Sequence, residues 1–326
     1  MKAVRYHAVG GPEVLRWEEA PEPAVGSRDV LIEVQAAGVN FADLMRRSGR
    51  YHVRSDFPAM LGTEAAGTVL RAGEQAAEFK PGDRVFCRSS VTGCQAELVA
   101  VPAGEIWRMP PAASFVECAA IPVVFLTAYH LLKTLAPLSP GESVVIHAAA
   151  SGVGTAAVQL AKAWGARVFA TASSEEKLVF ARQLGADECI DYTKQDFVAE
   201  VLRRTANAGV DRVLECVGGD VLLRSLGVLA PGGRLLIYGR ASGSLPSLPT
   251  NELFARNLQV AGLNIGGKPW SQALHRAALE ECLDLMATGR VKPVISAVFT
   301  MDKVADAHEH LARRKTMGKV VLTRPS

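Results

Sequence analysis

The segment Val144-Val-Ile-His-Ala-Ala-Ala-Ser-Gly-Val-Gly-Thr-Ala-Ala157 sets G-x-G-x-x-A between an apolar strand-like run and a helix-like one. In that setting Gly152 permits a tight turn, Gly154 lets the backbone approach a pyrophosphate, and Ala157 lets helix and strand pack closely. Ser151 and Val153 complete the loop, and the helix start directs free N–H groups at the phosphates. Glycine also marks ordinary turns, so it is the surrounding βαβ unit that points to a dinucleotide. About 20 residues farther on, NAD would call for an acidic side chain at the ribose 2′-hydroxyl. Thr171-Ala-Ser-Ser-Glu-Glu-Lys177 has Ala172 at that place. Ser173, Ser174 and Lys177 suit the extra phosphate of NADPH. The same serines can instead cap the next helix, and the two uses are compatible.

A second grouping is basic. Arg46, Arg47, Arg50, His52 and Arg54 surround Tyr51 within nine positions. At a pocket mouth they would attract an anionic carrier, such as the phosphates of coenzyme A or of a phosphopantetheine arm. As a solvated loop they would only aid solubility. Metal-binding patterns are missing. The six cysteines (Cys87, Cys94, Cys118, Cys189, Cys216, Cys282) form no C-x-x-C, and His308 and His310, two apart on a helix-like stretch, face different ways.

The elements that must position these residues change rhythm along the chain. Up to about residue 115, short strands (Val30–Ala36, Gly67–Arg71, Asp83–Phe86, Ala96–Val101) alternate with turns such as Lys80-Pro-Gly-Asp, as in a compact β domain. From about Pro140, strands and helices alternate: strand Ser143–His147, helix Thr155–Trp164, strand Arg167–Thr171, helix Ser174–Leu184 and strand Glu188–Ile190. Helix Phe197–Thr205, strand Asp211–Cys216, helix Val221–Leu229, a Pro231-Gly-Gly turn and strand Arg234–Tyr238 follow, with a last strand at Leu258–Leu263. Continuous apolar strands at this spacing argue a parallel, doubly wound sheet. Helix Gln272–Thr288 and a closing segment to Val321 lack that alternation and are expected to return to the first domain.

Composition agrees with an enzyme. The 326 residues are 49% hydrophobic and 21% charged, with a net charge of +3, too small to argue for nucleic acid. The apolar stretch Ala112–Leu132 is broken by Glu117, Pro122 and His130 and reads as buried globular sequence, not a membrane span. Isolated cysteines and an N-terminus that enters strand-like sequence directly lead us to expect a cytoplasmic protein.

With those residues in place, the chain resembles, essentially end to end, the zinc-independent quinone oxidoreductase family of the medium-chain dehydrogenase/reductase superfamily. The resemblance lies in Gly10-Gly-Pro-Glu-Val-Leu, Gly38-Val-Asn-Phe-Ala-Asp-Leu, Leu61-Gly-Thr-Glu-Ala-Ala-Gly67, Lys80-Pro-Gly-Asp-Arg-Val, the glycine turn, and Met317-Gly-Lys-Val-Val-Leu, in that order and spacing. It implies an α/β chain with a GroES-like, β-rich catalytic domain into which a Rossmann doubly wound parallel-sheet domain is inserted. The implied boundaries are 1–120, 121–262 for the NADPH-binding domain, and 263–326 for the return. Superfamily members that hold catalytic zinc do so with Cys, His and Cys; the matching places here are Asn40, Thr63 and about Val123, which cannot form such a site.

What the resemblance implies is NADPH-dependent hydride transfer to a quinone or other α,β-unsaturated carbonyl, by positioning and hydrogen bonding rather than by a metal. Catalytic roles fall to Asn40, Tyr51 and Thr127, with Tyr51 or water giving the proton. Cofactor contacts fall to Asn40, Ala42, Asp43, Thr127, His130, Ser151, Gly152, Val153 and Gly154. They continue with Ser173, Ser174, Lys177, Tyr192, Val217, Tyr238, Gly239, Arg240, Leu263, Asn264 and Arg314. A homodimer joined at the edge strand Leu258–Leu263 is expected by the same analogy. Two other functions stay open: an enoyl-thioester reductase, which the basic loop favours, and a non-catalytic nucleotide-binding relative.

Overall fold

The structure, a computed structural model, describes residues 1–90, 93–267 and 270–325. Contacts divide it into two units: Met1–Val123 with Ser271–Arg276 and Pro293–Ser326, and Val124–Trp270 with Ala277–Lys292. Residues 263–267, 270 and 277–292 therefore join the second unit, where the sequence led us to expect a wholesale return to the first. The reason is local bonding. Glu281 accepts hydrogen bonds from Tyr129 (2.7 Å) and Trp164 (3.2 Å) and pairs with Lys133, and the Lys292 N–H donates to Gln159 (2.9 Å).

In the first unit a seven-stranded sheet has the order Ile295–Thr300, Lys319–Thr323, Asp29–Val39, Glu64–Ala72, Arg84–Arg88, Ile106–Arg108, with Leu98–Pro102 also paired to Asp29–Val39. All its pairings are antiparallel except the first, which is parallel. The long strand Asp29–Val39 is buried along most of its length because it is paired on both edges. Its side chains Val30, Ile32 and Val34 join Leu61, Val69, Val85, Val320 and Leu322 in one core. The short helix Phe41–Arg47 begins where this strand ends.

The second unit is a six-stranded sheet, parallel throughout, in the order Glu188–Asp191, Arg167–Ala172, Ser143–Ile146, Val210–Glu215, Leu229–Ile237, Gln259–Gly262. The order reverses between the strands at 143 and 210, the place where open α/β sheets take ligands. Helices start at capped positions: Ser151 accepts from the Gly154 N–H, Ser174 from Lys177 and Asp196 from Val198. The Pro231-Gly-Gly segment, expected as a turn, lies inside the strand Leu229–Ile237. Gly232, with φ +78°, bends that strand without ending it. The apolar stretch forms the helices Phe115–Ala119 and Pro122–Tyr129, the latter running into a π-helical segment, His130–Leu135. Among the described residues no helix is long and apolar enough to cross a membrane.

Candidate functional site

Sheet register in the first unit gathers three polar side chains at one end of three adjacent strands. Val320 pairs with Val39, so Lys319 stands beside Asn40; Ala65 pairs with Ala37, so Glu64 stands beside Gly38. The Lys319 ammonium donates to Asn40 Oδ1 (2.8 Å), Glu64 Oε1 (2.6 Å) and the Val39 carbonyl (3.0 Å). Asn40 Nδ2 donates to Glu64 Oε1 (2.7 Å), and the Val123 N–H donates to Glu64 Oε2 (2.7 Å). Glu64 is fully buried and Lys319 is 3% exposed, so each charge depends on the other. Gly38 makes room for the carboxylate: a Cβ there would sit 2.3 Å from Glu64 Oε1.

Asn40 also starts the helix Phe41–Arg47, and its N–H donates to Asp43 Oδ2 (2.8 Å) while the Gly62 N–H reaches Asp43 Oδ1 (3.4 Å). Burial pushes the Asp43 carboxyl up to about 6, against these two bonds and the Lys319 charge, which act the other way. Ala42 is half-buried between them. Neither Glu64 nor Lys319 was singled out from the sequence. The available signal was a charged residue at the head of each apolar strand, which burial obliges to find a partner.

Around Tyr51 the basic loop divides. The Arg46 guanidinium lies 4.3 Å over the Tyr51 ring, and His52 packs against that ring at 4.2 Å. Arg50 and Arg54 are exposed, but Arg47 is not. It turns inward, 6% exposed, where its charge helps burial hold His308 down to about 3. Arg47 therefore leaves the group expected at a pocket mouth, because it closes the packing of its helix against the helix Val304–Ala312. His308 is buried on that helix, whereas His310 packs against Phe299. Arg314, exposed, follows it with φ +55°.

Zinc does not fit the three places where it would be held. Asn40 offers an amide already tied to Glu64, Thr63 a hydroxyl and Val123 an alkyl group, with the Lys319 ammonium 2.8 Å from the amide oxygen. Among the described residues no three His, Cys, Asp or Glu side chains gather as metal ligands.

In the second unit the glycine turn joins strand Ser143–Ile146 to helix Gly152–Ala163. The left-handed residue of this turn is Ala148, with φ +50°, and not Gly152, which already begins the helix. Gly154 matters for packing inside the turn: a Cβ there would lie 2.3 Å from the Ala148 carbonyl oxygen. The first N–H groups of this helix, at Gly152 and Val153, have no intrahelical acceptor by geometry and are free to meet an anion. His147, just before the turn, is buried and bonded at both nitrogens, Nδ1 to Thr171 Oγ1 (2.9 Å) and Nε2 to Ser225 Oγ (3.0 Å).

Ala172 ends the strand Arg167–Ala172, with no acid at that point. Ser173 is exposed, Ser174 caps the helix Glu175–Gln183 through the Lys177 N–H (3.4 Å), and the Tyr192 N–H donates to the Ala172 carbonyl (3.2 Å). Ser173, Lys177 and the exposed Tyr192 thus share one sheet end. At the neighbouring strand ends, Glu215 Oε1 accepts from Val217 (2.6 Å) and Gly218 (2.9 Å), which fixes that turn. The Ala241 N–H donates to the Cys216 carbonyl (2.8 Å), setting Gly239 and Arg240 beside it. The Tyr238 hydroxyl is buried. Leu263 is buried, and Asn264 Oδ1 accepts from Gly266 (3.1 Å). Thr127 and His130 are buried, and His130 bonds Thr134 (2.9 Å) and packs on Trp270, so its ring is engaged within its own unit.

Comparison with known proteins bears on the family and the fold. Residues 26–111 match the alcohol dehydrogenase GroES-like domain model, and residues 152–317 match the zinc-binding dehydrogenase model. The quinone oxidoreductase of Pseudomonas aeruginosa is 35% identical over 98% of this chain and 99% of its own. The structure of Escherichia coli quinone oxidoreductase complexed with NADPH superposes with a TM-score of 0.93 at 31% identity, covering 99% of this chain and 100% of that one. The CurK enoyl reductase superposes with a TM-score of 0.89 at 30% identity, over 99% of each chain.

Proposed function

The chain belongs to the quinone oxidoreductase family of the medium-chain dehydrogenase/reductase superfamily, and we propose that it is an NADPH-dependent reductase of quinones or other α,β-unsaturated carbonyls that works without zinc. The observation that carries this reading is the buried Lys319–Glu64–Asn40 cluster, which sets an amide held by an ion pair at one of the three zinc positions. It is an arrangement for donating a hydrogen bond, not for ligating a metal.

NADPH, when bound, supplies hydride. Gly152 and Val153 would hold its pyrophosphate at the helix start, and Ser173, Lys177 and Tyr192 its 2′-phosphate end. The E. coli relative's complex with NADPH supports that choice. Val217, Gly239, Arg240, Leu263 and Asn264 would line the remainder of the nucleotide, and Thr127 its nicotinamide side. Asn40 would donate to the acceptor oxygen as that oxygen gains charge, and Tyr51 or water would return the proton. Quinones and enones are electrophilic enough that such positioning suffices.

A second reading is favoured by one feature. Arg46 and His52 pack on the Tyr51 ring and Arg50 and Arg54 are exposed beside them in sequence, a basic group suited to the phosphates of an enoyl thioester carrier, and the CurK enoyl reductase is a structural relative. Pairing of two copies along the edge strand Gln259–Gly262 belongs to the same proposal and is measured by sedimentation. The deciding experiment follows NADPH oxidation with a panel of quinones, enones and enoyl thioesters. Turnover of quinones or enones supports the first reading, and preference for thioesters that falls on reversing Arg50 and Arg54 supports the second. Tight NADPH binding with no acceptor reduced overturns both and leaves a binding protein.

A further inference from the structure

We propose that Lys319, acting through Glu64 and Asn40, is a positioning residue that makes Asn40 a polarised hydrogen-bond donor to the acceptor oxygen. This rests on the reading that Asn40 meets the acceptor and deepens it by assigning where that donor's strength comes from.

Every proton of the buried ammonium is accounted for. The three go to Asn40 Oδ1, Glu64 Oε1 and the Val39 carbonyl. The amide orientation of Asn40 follows. Flipped, it would set its NH2 group against the ammonium and its oxygen against the Glu64 carboxylate, replacing two attractive contacts with two repulsive ones. As it stands, one Nδ2 proton goes to Glu64 Oε1 at 2.7 Å. Among the described residues none accepts the other, while Glu64 Oε1 takes Asn40 and Lys319 and Oε2 takes the Val123 N–H. Asn40 is half-buried, so this second N–H faces out of the cluster.

A full positive charge 2.8 Å from the amide oxygen draws electron density from nitrogen to oxygen and makes the outward N–H a stronger donor. With Lys319 3% exposed, solvent does little to screen this. Hydride arriving at carbon leaves negative charge on the acceptor oxygen, so a donor strengthened in this way acts more on the transition state than on the bound acceptor. The ammonium touches no reacting atom and acts only through the amide. Gly38, whose missing side chain admits the Glu64 carboxylate, belongs to the same device.

The test compares wild type with a Lys319→Met/Glu64→Gln double variant, which removes the charge without stranding its partner. Binding of NADPH and the melting temperature report folding. For a series of para-substituted enones, kcat of the double variant should fall about 10- to 100-fold, with KM within about twofold, and the dependence of log kcat on electron withdrawal should steepen as the weaker donor leaves more charge on the acceptor. In samples labelled with 15N at asparagine, the outward Nδ2 proton of Asn40 should resonate farther downfield in wild type than in the double variant. Unchanged kcat and slope, with only KM or melting altered, would overturn the proposal. So would an unchanged Asn40 amide resonance, which can be read even where no acceptor is reduced and which therefore separates failure of this inference from failure of the proposed function.

Discussion

His147 ties the first strand of the nucleotide unit to its neighbours at the edge of the glycine turn, and its protonation should loosen that unit. Ser225 Oγ donates its proton to the Val221 carbonyl (2.6 Å), so it accepts from His147 Nε2–H, and Nδ1 accepts from the Thr171 hydroxyl. The ring is neutral with its proton on Nε2. Burial lowers it from 6.5 to about 4. The unfolded chain therefore binds a proton before the folded one does, and stability present above pH 6.5 is lost as pH falls towards 4. At about 1.4 kcal/mol per pH unit the complete loss is about 3 kcal/mol, of which about 2.5 kcal/mol has gone by pH 4.5. The assay is hydrogen exchange of peptides covering Ser143–Ile146 in wild type and His147→Gln between pH 4.5 and 7.5, with intrinsic exchange rates corrected for pH. Wild type should be the more protected at pH 7.5, and the gap should close by about 2.5 kcal/mol at pH 4.5. A gap that stays constant across this range would refute a buried neutral ring.

Asp43 should behave with the opposite sign. Because burial raises it to about 6, stability is fully present below its ordinary value and lost as pH rises through 6; denaturant unfolding should show Asp43→Asn gaining about 2 to 3 kcal/mol on wild type between pH 4 and pH 8. Gly38→Ala puts a Cβ 2.3 Å from a buried carboxylate oxygen, so it should lower the melting temperature and reduce kcat about 10-fold or more, whereas Gly227→Ala, whose Cβ would sit 3.6 Å from Val198 Cγ1 on a helical backbone, should leave kcat unchanged. Ser173→Asp sets a carboxylate at the exposed strand end beside Tyr192; fluorescence titration should show NADPH affinity falling about 10-fold or more while NADH affinity holds or rises.

The two sites differ in how far the sequence exposes them. The nucleotide unit was legible because its information is local: apolar runs separated by capped helices, and a turn whose residues are consecutive. Even there, conformation escaped pattern. Ala148, not a glycine, takes the left-handed backbone, since the turn is closed by its neighbours and not by the residue type alone. The π-helical segment His130–Leu135 carried no signal, as its composition is that of an ordinary buried helix. Charge counting also misled at Arg47, whose place among arginines looked superficial until packing drew it inward beside His308.

The Lys319–Glu64–Asn40 cluster escaped detection for a stronger reason. Lys319 and Glu64 lie 255 residues apart, and what joins them is the register of three strands. A one-residue slip of either flanking strand would send its charge to the opposite face. Neither charge could be buried there without a partner, so the ion pair opposes slippage as well as aiming the amide. That double duty makes a clear distinction between the sites. A change at the exposed Ser173 should cost cofactor affinity with little change in fold, whereas a side chain at Gly154 would meet backbone and disturb both. Damage to Glu64 or Lys319 singly should cost stability and turnover together, and only a paired replacement that keeps the cluster neutral should separate the two.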